Sequence, residues 1–349
     1  TDVNFSATDD DANDIRLTTT AGDIAVVSIN AGSTGDVILN AAGAITEDGT
    51  DAVEVTGDAL TATATGSITL DTSIASLEAS STNSGLIDID ETDSIELNNL
   101  ATTDGTITID AGQAIMSRDS TISTKGDAIV LDAGDEVRLQ NNVTITTDGA
   151  DILVNANSNV NLGRNNTLAT SGGDISIHAD TYVYFHGTDT SLATGGGNIK
   201  IDAGSYVEFD DDIKLTSDGG DITINAGTYV YFGEEYIITL SSGVGDITIH
   251  AGTYVYFYGY DNDDFYYISL TSDGGNITVK ADSYIEFEDP GTILTSGGGN
   301  ITLNAGEYVY LDDGDITLTS GGGDIAITAN THVNFYAYAT LASGGGDIT

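Results

Sequence analysis

The stretch GGDITINAGTYVYF at residues 219–232 returns as GDITIHAGTYVYF at residues 245–257. A phrase repeated at nearly fixed spacing limits a fold more than composition does, because every copy must solve the same packing problem. The Asp or Asn ahead of each I-x-I motif recurs at Asp127, Asp151, Asp174, Asn198, Asp221, Asp246, Asn276, Asn300, Asp324 and Asp347. The steps are 24, 23, 24, 23, 25, 30, 24, 24 and 23 residues. Upstream, Gly66, Gly85, Gly105 and Gly126 precede SITL, LIDI, TITI and DAIV at steps of 19, 20 and 21.

Each unit holds three short alternating runs. In the copy beginning at Gly220, Ile222, Ile224 and Ala226 share one face, with Thr223 and Asn225 on the other. Val230 and Phe232 then share a face, with Tyr229 and Tyr231 opposite, and a third run follows at Ile237 to Leu240. A period of two is the signature of a strand, and helical spacing is absent. Hairpin signals of the Asn-Gly kind, which a sandwich would prefer, do not organise the repeat. The expected fold is an all-β parallel β-solenoid, or β-helix, with about three strands per coil and roughly 15 coils stacked at about 4.8 Å. One continuous solenoid is expected over 1–349. Its coils would be irregular over 1–65, of about 20 residues over 66–125, and of about 24 over 126–349.

Stacking places like on like. Ile175, Ile199, Ile222, Ile247, Ile277, Ile301 and Ile325 are one expected inward column, and Phe185, Phe209, Phe232, Phe257, Phe287, Leu311 and Phe335 another. Each such side chain contributes about 1.5–3 kcal/mol when buried. The Gly pairs ahead of each first strand are expected to supply positive φ at the bend. The single proline, Pro290, falls in a corner, where no ladder donor is lost.

The charge is extreme: 55 acidic against 8 basic residues, a formal −47 over 349 residues. That repels nucleic acid and anionic membrane surfaces and suits a solvated surface facing cations. Disorder is countered by the 40% of hydrophobic residues, which fall at regular positions. There is no cysteine, hence no disulfide framework or thiolate chemistry. No apolar run approaches the ~18 residues of a membrane span.

The phrases GSITLDTS, GTITIDAGQAI and GDVILNAAGAIT, with the repeated GG(D/N)I-x-(I/L)-x-A, resemble the β-solenoid shafts of filamentous-haemagglutinin-like, two-partner-secretion adhesins. The likeness covers nearly the whole chain. It implies a secreted or surface-anchored fibrous protein without catalysis. The chain departs from that pattern in its tyrosine content, its acidity and its longer coils after about residue 126.

Three surface features carry the functional expectations. First, acidic residues follow the second strand: Asp210, Asp211 and Asp212; Glu234 and Glu235; Asp261, Asp263 and Asp264; Asp312 and Asp313. Unit charges one coil apart repel by roughly 1 kcal/mol in water. Such a stripe is either a hydrated edge or a candidate Ca²⁺ stripe, since Ca²⁺ takes six to eight oxygens. No cofactor is otherwise called for. Second, Tyr182, Tyr206, Tyr229, Tyr254, Tyr284 and Tyr308 should form an outward ladder, with Tyr184, Tyr231, Tyr256 and Tyr310 in a parallel file interrupted by Glu208 and Glu286. The tyrosine face either stabilises the stack internally or meets another copy of the chain or a glycan. Third, the Asp/Asn column ahead of the first strand reads as corner hydrogen bonding.

An enzyme of the polysaccharide-acting β-helix kind is the distant alternative. It would need Asp clustered with Arg or Lys, and the basic residues Arg16, Arg118, Lys125, Arg138, Arg164, Lys200, Lys214 and Lys280 are thinly spread. His178, His186, His250 and His332 read as outward strand residues. The opening, TDVNFSATDDDANDIRLTTTAGDI, matches a second strand, corner and third strand, and the close stops inside a first strand. The expectation is therefore a piece of a longer solenoid, or copies joined head to tail. The functional expectation is a non-catalytic extracellular or cell-surface shaft, filament or layer component. The alternative is a glycan-binding adhesin shaft.

Overall fold

A computed structural model describes residues 2–4, 13–50, 52–233, 237–258, 267–288, 291–312, 315–336 and 338–349. The chain is an all-β parallel β-solenoid of about 14 turns, with no helix among the described residues. Among the described residues, no helix is long and apolar enough to cross a membrane. The structure divides into two compact units, Thr1–Ser158 and Asn159–Thr349.

In the first unit, successive coils pair in parallel and in register. Ile68, Ile87, Ile107, Ile129 and Ile152 lie over one another and are fully buried. The core here is aliphatic. The shortest coils do not break into three strands: Ile68–Ser81 runs as one strand of 14 residues beside Val55–Ala64. Strand residues replace corner residues, so a coil closes in fewer steps.

The opening departs from the sequence expectation. Asp2–Asn4 pairs antiparallel with Ile15–Thr18, with Asp2 opposite Thr18 and Asn4 opposite Arg16. Only ten residues separate Asn4 from Ile15. Parallel neighbours need a crossover of about a dozen residues or more, so this segment can return only as a reversal. It adds no coil, which brings the turn count below the roughly 15 expected.

In the second unit each coil has three strands. Ile222–Ala226, Tyr229–Phe232 and Ile237–Ser241 pair in parallel with Ile247–Ala251, Tyr254–Tyr258 and Tyr267–Ser272 of the next coil. The expected inward columns are inward: Ile175 through Ile325, and Phe185, Phe209, Phe232, Phe257, Phe287 and Leu311, are all fully buried. Consecutive phenylalanine rings stack at 4.8, 5.0, 4.8 and 4.4 Å between centroids. A third column, from Leu168 through Leu192, Leu215, Leu240, Leu270, Leu294 and Leu318, fills the remaining side. Phe335, in register with Leu311, is the exception at 50% exposed.

One of the three corners is tied by two sets of side chains. At the first-strand corner, each Asx side chain accepts the backbone N–H of its counterpart one coil on. Asn198 N–H donates to Asp174 Oδ1 at 2.6 Å, Asp221 N–H to Asn198 Oδ1 at 2.8 Å, and Asp246 N–H to Asp221 Oδ1 at 2.8 Å. The relay continues through Asn276, Asn300 and Asp324 to Asp347. The column is thus the corner hydrogen bonding expected of it. Beside it runs a buried hydroxyl column. Ser217 Oγ donates to the Gly220 carbonyl at 2.8 Å, Ser242 to Gly245 at 2.6 Å, and Ser320 to Gly323 at 2.6 Å. The corner between the second and third strands carries the variation in coil length: Tyr258 and Tyr267 bracket the longest insertion.

The glycines at the tied corner have a different reason from the one expected. Gly220, Gly245, Gly275, Gly299 and Gly323 do not have positive φ. A Cβ on Gly220 would instead drive into the carbonyl of Gly197, one coil away, and the same holds up the column. Glycine is required by backbone approach, coil on coil. Among the corner glycines of this unit, Gly196 at φ +142° is one of the few that needs the left-handed side of the map.

Gly220→Ala is therefore expected to destabilise by about 1–3 kcal/mol through overpacking. Gly219→Ala, whose added carbon would meet nothing nearer than Val244 at 4.0 Å, should be nearly silent in the same denaturant titration. Phe232→Ala should cost about 3–5 kcal/mol, whereas Phe232→Leu should cost much less. Leu311 already fills that site in register with Phe287.

Candidate functional site

The tyrosine ladder is continuous. Alternation along each second strand turns Val230 and Phe232 inward and leaves Tyr229 and Tyr231 outward and half-buried. In-register pairing then sets each tyrosine over its counterpart. Tyr182, Tyr206, Tyr229, Tyr254, Tyr284 and Tyr308 stack at centroid spacings of 4.8, 4.8, 5.0, 4.9 and 4.9 Å, with planes within 6°. The ring faces cover one another, so the solvent sees edges and hydroxyls. His332 extends the ladder: its ring lies 5.5 Å from Tyr308 at 10°. Its Nδ1 is 3.0 Å from Thr331 Oγ1, and its Nε2 is 2.9 Å from the Tyr310 hydroxyl. The sequence carried the signal, since His332 occupies the tyrosine position of THVNF.

The second file is in register but is not one stack. Tyr184, Glu208, Tyr231, Tyr256, Glu286 and Tyr310 succeed one another. Tyr231 and Tyr256 meet at 5.7 Å, tilted by 34°, and Tyr258 joins Tyr256 at 5.5 Å. Where a glutamate follows a tyrosine, the hydroxyl finds the carboxylate two residues beyond. Tyr184 OH donates to Asp210 Oδ2 at 2.9 Å, and Tyr256 OH donates to Glu288. Tyr284 is pushed up to about 12, first by burial and then by the neighbouring rings of Tyr254 and Tyr308. Burial also raises Tyr184, helped by its bond to Asp210, and Tyr229, helped by Glu208.

The acidic corner is less convergent than the tyrosine face. Asp210 accepts from Tyr184, Asp211 Oδ1 accepts the Asp212 N–H at 3.1 Å, and Asp212 Oδ1 accepts the Ile237 N–H at 2.7 Å. The three carboxylates thus serve three different partners. Asp312 follows the second strand one residue after Leu311, its N–H bonded to the Phe287 carbonyl. Glu234, Glu235, Asp261, Asp263, Asp264 and Asp313 lie outside the described residues. Among the described residues, the one trio of acids whose donor atoms come within 4.8 Å of one another is elsewhere, at Glu47, Glu54 and Asp71. Sequence reading missed that group.

It also missed an acidic column of the first unit, in which Asp71, Asp90, Asp110 and Asp132 succeed one another in register. Aligning SITLD, LIDID, TITID and AIVLD would have found it. Basic side chains stay dispersed. Lys200 Nζ lies 2.6 Å from Asp202, and Arg138 lies 2.6 Å from Glu136. His178, His186 and His332 are exposed and His250 is half-buried. His178 Nε2 lies 3.3 Å from Asp180.

No family model, no curated protein and no solved structure matches this chain.

Partial desolvation of several acids sets the pH response expected of the protein. Burial raises Glu208, with Asp210 adding to it, and Glu286, with Glu288 and Asp312 adding. Burial likewise raises Glu91, Asp88 and Asp110 of the first unit. The folded state therefore holds protons that the unfolded chain releases. That stability is complete below the ordinary carboxylate value of about 4 and is lost as pH rises through the raised values. At constant ionic strength, the calorimetric melting temperature should be higher near pH ~5 than near pH ~8, and a lower one would contradict this assignment. A second loss is expected above pH ~10, as the unfolded chain's tyrosines ionise before those of the ladder. Tyrosinate absorbance should lag that of the denatured protein.

Proposed function

We propose that this chain is a non-catalytic structural element of the extracellular or cell-surface kind. It acts as a shaft, or as a subunit of a filament, fibre or layer, of the filamentous-haemagglutinin-like class that its repeats resemble. The observation that carries this reading is the superposition of one set of side chains, coil after coil. Ile, Phe and Leu columns run inside and a stacked tyrosine column runs outside. A catalytic centre brings unlike groups together at one place. Here like groups are spread along a line, and each added coil lengthens the surface without changing it. A formal charge of −47 keeps such a surface hydrated and repels polyanions, so nucleic acid and membrane insertion form no part of the proposal.

The partners fitting this role are further copies of the chain, and the tyrosine face is the surface offered for lateral contact. A second reading, a glycan-binding shaft, draws on the outward row of phenol edges and hydroxyls at 4.8–5.0 Å spacing. The mutual covering of ring faces favours the structural reading, because a sugar stacks on a free face.

Negative-stain images of the concentrated protein should show fibres or lateral arrays. Single particles at every concentration would count against the filament role. Tyr229→Ala combined with Tyr254→Ala should reduce that association in sedimentation velocity. If the same pair instead abolishes binding on a glycan array and leaves association intact, the second reading replaces the first.

A further inference from the structure

The first unit buries a carboxylate that the fold only half satisfies. Glu54 is 1% exposed and stands immediately before the strand Val55–Ala64. Its backbone is fixed between two coils: its carbonyl accepts the Ile29 N–H at 2.6 Å, and its N–H donates to the Asp71 carbonyl at 2.9 Å. One side-chain oxygen, Oε2, accepts the Asp71 N–H at 3.0 Å. The other, Oε1, is shut off from bulk water and meets no hydrogen-bond donor among the described residues. Leaving a buried acceptor unmatched is costly, and native structures rarely do it without a reason.

The contrast with Glu91 is instructive. That side chain is buried nearby, at 3% exposed, and both its oxygens are used. Oε2 accepts from Thr72 Oγ1 at 2.7 Å and from the Ile74 N–H at 3.0 Å, and Oε1 accepts the Asp93 N–H at 3.3 Å. A buried glutamate in this unit can thus be supplied with donors by the adjoining coil and its own turn. Glu54 faces acids instead. Glu47, directly after Ile45–Thr46, and Asp71, within Ile68–Ser81, are half-buried, and each brings a carboxylate oxygen to it. The three donor atoms lie within 4.8 Å of one another.

We propose that Glu47, Glu54 and Asp71 form a binding site for one divalent cation of the hard, oxygen-seeking class, with Ca²⁺ as its best fit. The donor set is all carboxylate oxygen, without the His or Cys that Zn²⁺ favours. Ca²⁺ holds oxygens at about 2.3–2.6 Å, so two of its ligands stand at most about 5 Å apart, which matches this separation. Mg²⁺, with oxygens at about 2.0–2.1 Å, spans less and demands stricter geometry. The cation would complete Oε1 and tie Glu47 and Glu54, the two ends of one corner, to Asp71 of the neighbouring coil. Burial holds the Glu54 carboxyl above its usual range, and the charges of Asp71, Glu47 and Asp48 add to that, so proton and cation compete for the same oxygen. This site lies in the first unit and does not rest on the structural role proposed above.

The test is calorimetric titration of the chelator-treated full chain with CaCl₂ at fixed ionic strength and neutral pH, with melting curves alongside. The expected result is one saturable site with Kd at or below about 1 mM, the weak end for extracellular modules, and a Ca²⁺-dependent rise in melting temperature. Glu54→Gln and Glu47→Gln should each weaken that binding at least ~10-fold, by removing a carboxylate ligand and its charge. Asp210→Asn, on the acidic corner of the second unit, should leave it unchanged. Should Glu54→Gln fail to fold, Glu47→Gln, at a half-buried position, carries the test. Three outcomes would overturn the proposal: no saturable Ca²⁺ binding by the parent chain, undiminished binding by Glu47→Gln, or loss of binding in Asp210→Asn alone. A Glu54→Gln protein that melts higher than the parent in both chelator and Ca²⁺ would also overturn it, by marking Glu54 as a neutral, protonated acid.

Discussion

Everything in this molecule depends on parallel, in-register backbone pairing between successive coils. Parallel strands about 4.8 Å apart put residue i of one coil directly over its counterpart in the next. That one geometric fact turns a sequence period into columns in space. It aligns Ile222 with Ile247 and Phe232 with Phe257 inside, and Tyr229 with Tyr254 outside. The aromatic stacking is a consequence rather than a cause. The 4.8–5.0 Å spacing of the ladder rings is the coil rise itself, which happens to suit planar rings lying face to face.

The same superposition creates the principal difficulty of the fold, which is that like charges stack as readily as like apolar groups. The chain meets it in several ways. At the first-strand corner, Asp alternates irregularly with Asn, and each side-chain oxygen is engaged by a backbone N–H from the adjoining coil. In the second tyrosine file, Glu208 and Glu286 are separated by tyrosines, and the Tyr184 and Tyr256 hydroxyls reach carboxylates beyond them. After the second strand, Asp210, Asp211 and Asp212 turn to three different donors. Where local donors run short, at Glu54, the balance is left open.

Strand period, inward columns and tyrosine ladder were all legible in the residues, because each is a repeated identity, and repetition survives projection onto one dimension. The reasons behind some of those identities were not. Gly220 reads as a bend residue, yet its lack of a side chain answers to the carbonyl of Gly197 in another coil. Ser217 and Ser320 are buried and donate to glycine carbonyls three residues on, a role that strand alternation does not reveal. The opening strand was misread because alternation alone does not say which way a neighbour runs; the ten residues between Asn4 and Ile15 decide that. Glu54 was invisible for the opposite reason. It lies ahead of Gly66, where the repeated phrases begin, so no repeat announces it, and its burial follows from a corner whose path no period predicts.

Of the three corners in a coil of the second unit, one is closed by the Asx relay and the hydroxyl column, and another always spans two residues, such as Gly227 and Thr228 between Ala226 and Tyr229. Only the stretch between second and third strands changes length, and the coils on either side of the longest insertion remain in register, Phe257 over Phe232 and Leu270 over Leu240. That makes the scaffold modular in a particular sense. A foreign peptide grafted after Tyr258 would decorate the surface at a chosen height without resetting the repeat beneath it, so ornament and framework can diversify independently.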